Sequence, residues 1–164
     1  MTKRILVPIT PGAPADYALA ALSAARIARK SGGIVRLAYI SPLPPPRVDR
    51  HDRVVADTDR EMARITAGAL ERFSALASEM DGVPVELVVR FGRLGVELPI
   101  EAEVFEADLI ALAAPPESRL RDRLRAWKLR RAALASKAPV VLLPIPSEGS
   151  GARTGGAVAM PALR

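Results

Sequence analysis

The chain is 164 residues long, 49% hydrophobic, and carries 24 Lys and Arg against 18 Asp and Glu, a formal charge of +6. That length suits one soluble globular domain with a real core, and the charge permits an anionic partner without requiring one. The lack of cysteine excludes a disulfide framework, a thiolate metal site and a cysteine nucleophile, and with His51 the single histidine, a histidine-based triad or zinc site is not expected. No apolar run reaches the roughly 20 residues of a membrane-spanning helix. The first apolar stretch is too short for a secretory leader, so the cytoplasm is the expected location.

Lys3–Ile9 (KRILVPI) is a short apolar run behind two basic residues, the pattern of a buried central strand. Thr10-Pro11-Gly12-Ala13-Pro14 reads as a turn. Asp16–Lys30, rich in Ala and Leu with basic residues in its last turn, reads as a helix ended by Ser31-Gly32-Gly33. Ile34–Ile40 is the second strand, with Arg36 its only charge and Tyr39 a core or rim residue. Residues 41–56 hold Pro42, Pro44, Pro45 and Pro46 and read as an irregular surface loop, with a recognition arm or a lid as the functional alternatives. His51, inside that loop, is expected to be exposed.

Thr58 and Glu61 form the S/T-x-x-E pattern of a capping box. Met62, Ile65, Ala69, Phe73, Leu76 and Met80 follow at spacings of three and four, which predicts a helix with one core-facing stripe, stopped at Asp81-Gly82. Val85–Arg90 alternates, with Glu86 and Arg90 on the face opposite Val85, Leu87 and Val89, as an edge strand with a solvated face does. Leu94–Glu106 predicts a third helix that either starts at Pro99 or bends there. Its Glu97, Glu101, Glu103 and Glu106 read as a solvated acidic face rather than as catalytic or metal-binding carboxylates.

Ala107–Pro144 reads as strand (Leu109–Ala113), turn (Pro115, Pro116), Arg-rich helix and strand (Val140–Leu143). Such a β-α-β crossover implies a parallel sheet, whose ligands lie beyond the carboxyl ends of the strands. The helix carries Arg119, Arg121, Arg123, Arg125, Lys128, Arg130 and Arg131 against Asp122, with Leu120, Leu124 and Trp127 as the apolar stripe expected to dock on the sheet. Its arginines read either as a solvated basic face, partly balanced by the acidic third helix, or as a surface for nucleic acid, an anionic surface or an acidic partner. Single-strand binding normally uses interleaved aromatics, and only Trp127 is present. Residues 147–164 are Gly-rich and aperiodic and read as a flexible tail, leaving 1–146 as the domain.

The last third of the chain resembles the universal stress protein family. The likeness is carried by Ala107–Ala111, which matches the family's A-D-L-I-V strand lead-in, by Pro139-Val140 before the fifth strand, and by the gapless distance from Gly92 to Ala107. The family's nucleotide signature, G-x2-G-x9-G-[ST], falls on Ala113, Pro116, Ala126 and Trp127, so its glycines and hydroxyl are replaced. The acidic residue usual at the end of the family's first strand is Thr10 here. Glycine-rich turns hold phosphate because their N–H groups approach the anion with no Cβ in the way. Pro116 has no N–H to give, and the Trp127 ring is expected to fill the pocket.

The resemblance implies a single-domain, Rossmann-like α/β sandwich, its five-stranded parallel sheet ordered 3-2-1-4-5 with helices on both faces. It also implies homodimers through the last strand, Val140, Val141, Leu142 and Leu143. The leading expectation is a non-enzymatic stress-response protein that does not bind ATP in the usual way, needs no cofactor and acts through homodimerisation and a protein partner. One alternative is a sensor of ATP or another anionic ligand in an altered crevice, with Thr10, Ser118 and Arg119 replacing lost contacts. The crevice positions are then Pro8, Ile9, Thr10, Ile40, Ala113, Pro116, Ser118, Arg119, Ala126 and Trp127. A second alternative is nucleic-acid or anionic-surface binding through the Arg-rich helix 119–131. No G-x-S-x-G elbow, metal-ligand cluster or intact P-loop occurs, so no catalytic or metal residue is named.

Overall fold

Strand β1 (Arg4–Ile9) is buried from Ile5 to Ile9 and forms the middle of the sheet. Alternate side chains leave a strand on opposite faces, so a run without polar residues must be covered on both. In the computed structural model, which describes residues 3–12, 14–51, 53–114 and 120–144, two helical layers do this. Ile5, Val7 and Ile9 pack with alanines of helix α1 (Pro14–Ser31) and with Ala69, Phe73 and Leu76 of α2 (Thr58–Ser78). Leu6 packs on the other side with Leu98 and Ala102 of α3 (Leu94–Val104) and Ala132 and Ala133 of α4 (Leu120–Leu134).

The remaining elements are β2 (Ile34–Ser41), β3 (Arg47–Val48), β4 (Val54–Ala56), β5 (Val85–Phe91), β6 (Leu109–Ala114) and β7 (Val140–Pro144). The main sheet runs β5-β2-β1-β6-β7 with every pair parallel. With the small β3–β4 pair set aside, this is the predicted order 3-2-1-4-5. Tyr39 lies in the core as expected, its ring 5.6 Å from that of Phe73. Among the described residues no helix is long and apolar enough to cross a membrane.

Four local expectations are corrected. Asp57, not Thr58, caps α2: its side chain accepts from the Arg60 N–H at 2.9 Å, and Thr58 is already inside the helix. Aspartate is as good a cap as threonine, and Asp57 has the extended backbone a cap requires. Glu61 therefore does not close a capping box, and pairs instead with Arg64 at 2.9 Å and Arg47 at 3.6 Å. The segment 41–56 is not wholly irregular, because β3 and β4 form an antiparallel pair. Asp49 organises the connection: its carboxylate takes the backbone N–H groups of Arg53 and His51, which hold its pKa below the ordinary value. His51 is exposed, as predicted.

Helix α3 does not start at Pro99 but runs through it, which leaves the other expectation, a bend there. Nor is its acidic face solvated throughout. Glu101 is 1% exposed and accepts from Arg36 at 2.7 Å and Arg90 at 3.0 Å, while Glu97 takes Arg90 at 2.8 Å. Strand β5 is the predicted edge strand, yet its Arg90 face is covered by these α3 carboxylates rather than by water alone. Arg36 also pairs with Glu86 on the neighbouring strand and lies 4.2 Å from the centre of the Phe105 ring. Burial opposes the charge on Arg36, but the bonds from Glu86 and Glu101 outweigh it and raise its pKa. For Arg90, the Glu97 bond leads and raises it likewise.

Candidate functional site

A crevice of about 570 Å³ opens at the carboxyl ends of the strands. Thr10 and Pro11 follow β1; Ile40 is the next-to-last residue of β2, and Pro42 and Leu43 continue the chain beyond it as a wall. The third side is Gly92, Arg93 and Leu94, the turn from β5 into α3. Helix α4 closes the fourth with Arg125 and Lys128. The floor is apolar and the polar rim is cationic. Among the described residues no acidic side chain lines this space.

Backbone requirements at two glycines shape it. Gly92 has φ +153°, which side-chain-bearing residues rarely adopt, and a Cβ there would come within 2.6 Å of Glu97 Oε1. The bare position lets Glu97 fold back to Arg90, while the Gly92 N–H donates to the Ser41 carbonyl at 2.9 Å. Gly12 has φ +92° and takes Arg125 directly against its backbone: Arg125 Nη1 donates to the Gly12 carbonyl at 2.6 Å, and an added Cβ would lie 2.9 Å from Nη2. Arg125 thus links α4 to the turn after β1.

Of the sequence-selected positions, Thr10 and Ile40 line this crevice, with Pro8 and Ile9 buried in the strand behind them. Ala113, Ala126 and Trp127 do not. They line a smaller depression of about 210 Å³ beside β7. Pro116, Ser118 and Arg119 lie outside the described residues. The expectation that Trp127 fills the pocket is overturned, since its side chain is 54% exposed and, outside the crevice, lines an adjoining depression that shares Arg93, Leu94 and Lys128 with it. The cause is the phase of α4. Its sheet-facing side is Leu129, Ala132 and Ala133, whereas Leu124 and Trp127 of the predicted stripe are exposed, and that phase swings Arg125 and Lys128 to the crevice.

Sequence reading did not place Pro42, Leu43, Arg93 or Leu94 in the site. The available signal was the rule that ligands gather beyond strand carboxyl ends, applied to β2 and β5 as well as β1 and β6. Among the described residues no group of His, Asp and Glu is arranged to hold a metal.

A five-stranded parallel sheet covered by helices on both faces, with a crevice at its carboxyl end, defines a Rossmann-like α/β protein. The chain belongs to the universal stress protein family, whose family model matches residues 1–144. In fold it is similar to the universal stress protein UspA from Lactobacillus plantarum, with a TM-score of 0.61, 19% identity, and coverage of 86% of this chain and 97% of that one. A universal stress protein in complex with cAMP gives a TM-score of 0.60 at 18% identity, covering 87% of this chain and 97% of that one. The universal stress protein from Archaeoglobus fulgidus in complex with dAMP gives 0.54 at 18% identity, covering 85% and 96%. No curated protein sequence matches the chain.

Proposed function

We propose that this chain is a cytoplasmic, non-enzymatic stress-response protein that binds a small anionic ligand in its altered crevice and does not hold ATP in the family's usual way. The observation that carries the reading is the crevice itself: an open apolar floor with Arg93, Arg125 and Lys128 at its rim and, among the described residues, no carboxylate in the lining. A phosphate-bearing ligand with a flat apolar body suits that distribution, because arginine and lysine pair with phosphate oxygens while the body covers Ile40, Leu43 and Leu94. The similar folds in complex with cAMP and dAMP are consistent with such ligands. The departures at Ala113, Pro116, Ala126 and Trp127 argue against the polyphosphate grip of the glycine signature. Homodimerisation through β7, and a protein partner, complete the reading.

Calorimetric titration of ATP, AMP, cAMP and inorganic phosphate into nucleotide-stripped protein tests it. Saturable binding of a nucleoside monophosphate at least as tight as that of ATP is expected. Replacing Lys128→Gln or Arg125→Gln removes a charge-assisted bond, which weakens affinity about tenfold or more. Absence of any binding by folded protein sinks the crevice reading and leaves the protein partner alone. Binding of ATP far tighter than AMP sinks the claim that the usual mode is lost.

A further inference from the structure

We propose that the outward face of α3 and α4 is a docking surface for an anionic lipid bilayer. The first observation is an asymmetry between the two helical layers. Of the eleven large apolar side chains left exposed among the described residues, six lie on α3 and α4, and only Leu70 lies on α1 or α2. On α4 these are Leu124, Trp127 and Leu134, at 54%, 54% and 63% exposure. Their spacing puts them on one side of the helix, opposite the buried Ala132 and Ala133. On α3 they are Val96, Ile100 and Val104, each four residues from the next and facing away from buried Leu98 and Ala102.

The second observation is charge. Helix α4 holds six cations against the single acid Asp122. Arg123 and Arg130 flank its apolar stripe on one side and Lys128 on the other, and Arg131 lies 5.4 Å from the centre of the Trp127 ring. The acidic helix beside it does not neutralise this face. Glu97 and Glu101 turn under α3 to Arg90 and Arg36, leaving Glu103 as that helix's exposed carboxylate. Withdrawing those carboxylates makes the surface both apolar and positive.

That combination selects the occupant. A helix with tryptophan and leucine outward and arginine or lysine at the flanks lies in the headgroup layer, its apolar side chains reaching the acyl boundary and its cations meeting lipid phosphates. Nucleic acid would use the arginines but gains nothing from Leu124, Leu134, Val96, Ile100 or Val104, and it lacks interleaved aromatics for stacking. A second copy of the chain would bring two such cationic faces together at a cost in repulsion.

Trp127 is the only tryptophan, so its emission reports this face and the adjoining edge at Leu142. The full chain is titrated with vesicles of phosphatidylcholine containing about one-third phosphatidylglycerol, and with pure phosphatidylcholine vesicles as control. The expected result is co-sedimentation with the anionic vesicles only, with a blue shift of Trp127 emission, loss of iodide quenching and weakening as salt rises. Arg130→Glu should lower partitioning about fivefold or more, and Leu134→Gln should lower it with the far-ultraviolet spectrum and crevice titration unchanged. No co-sedimentation, or co-sedimentation with unshifted emission, overturns the proposal. Emission that shifts with protein concentration without lipid in the Leu142→Lys variant, whose β7 pairing is blocked, or that responds to an oligonucleotide but not to vesicles, assigns the face to a second copy or to nucleic acid and overturns it equally.

Discussion

Glu101 shows how one residue's role depends on what the chain brings to it. In sequence it is one of three similar glutamates on α3; in the fold it lies on the side that carries Leu98 and Ala102, facing arginines from β2 and β5. Its partner Arg36 is 65 positions away, so the pairing could not be read from local pattern, although the charges at Arg36, Glu86 and Arg90 could. Removing the carboxylate leaves two half-buried guanidinium groups without their shared acceptor. Glu101→Ala is therefore expected to destabilise the protein by about 3 kcal/mol, the lower end for a broken buried pair because both arginines retain some water. Exposed Glu103→Ala should cost less than about 0.5 kcal/mol. Urea unfolding of the two variants compares them, and equal midpoints would show that burial of Glu101 adds nothing.

At the scale of the element, helices and strands were legible wherever a hydrophobic period was long. The α2 stripe through Ala69, Phe73 and Leu76 is buried as its spacing predicted, and β1 and β2 are buried where their apolar runs lie. Termini and phase were less legible. Asp57 and Thr58 both satisfy the chemistry of a cap, and only the extended backbone of Asp57 and its bond to Arg60 choose between them. Asp57→Ala should cost about 1 kcal/mol and Thr58→Ala less than half as much, read as shifts in thermal unfolding. In α4, the large residues Leu124 and Trp127 suggested the docking side, whereas the helix docks through Ala132 and Ala133. Close packing against α3 requires small side chains there, a condition set by the neighbouring helix and invisible in the spacing of α4 alone. The same phase error hid Arg125 and Lys128 from the predicted site and placed Trp127 in it.

The whole sheet was legible because five apolar runs, joined by helices of ordinary length, permit few parallel arrangements, and the family resemblance supplied their order. Its two edges differ in a way that bears on assembly. Strand β5 carries Glu86 and Arg90, charges that discourage strand pairing, while β7 presents Val140, Val141, Leu142 and Leu143 and, among the described residues, pairs with β6 alone. Leu142 is also 44% exposed. A second copy pairing along β7 would satisfy the open backbone groups and cover that side chain, which is the proposed homodimer. Sedimentation equilibrium should then give twice the 17.5 kDa chain mass, and Leu142→Lys, by placing a charge on the edge, should shift the assembly toward the monomer without changing the circular dichroism of the fold. A native protein that sediments as a monomer at every concentration would rule out this interface, and a dimer indifferent to Leu142→Lys would move it away from β7.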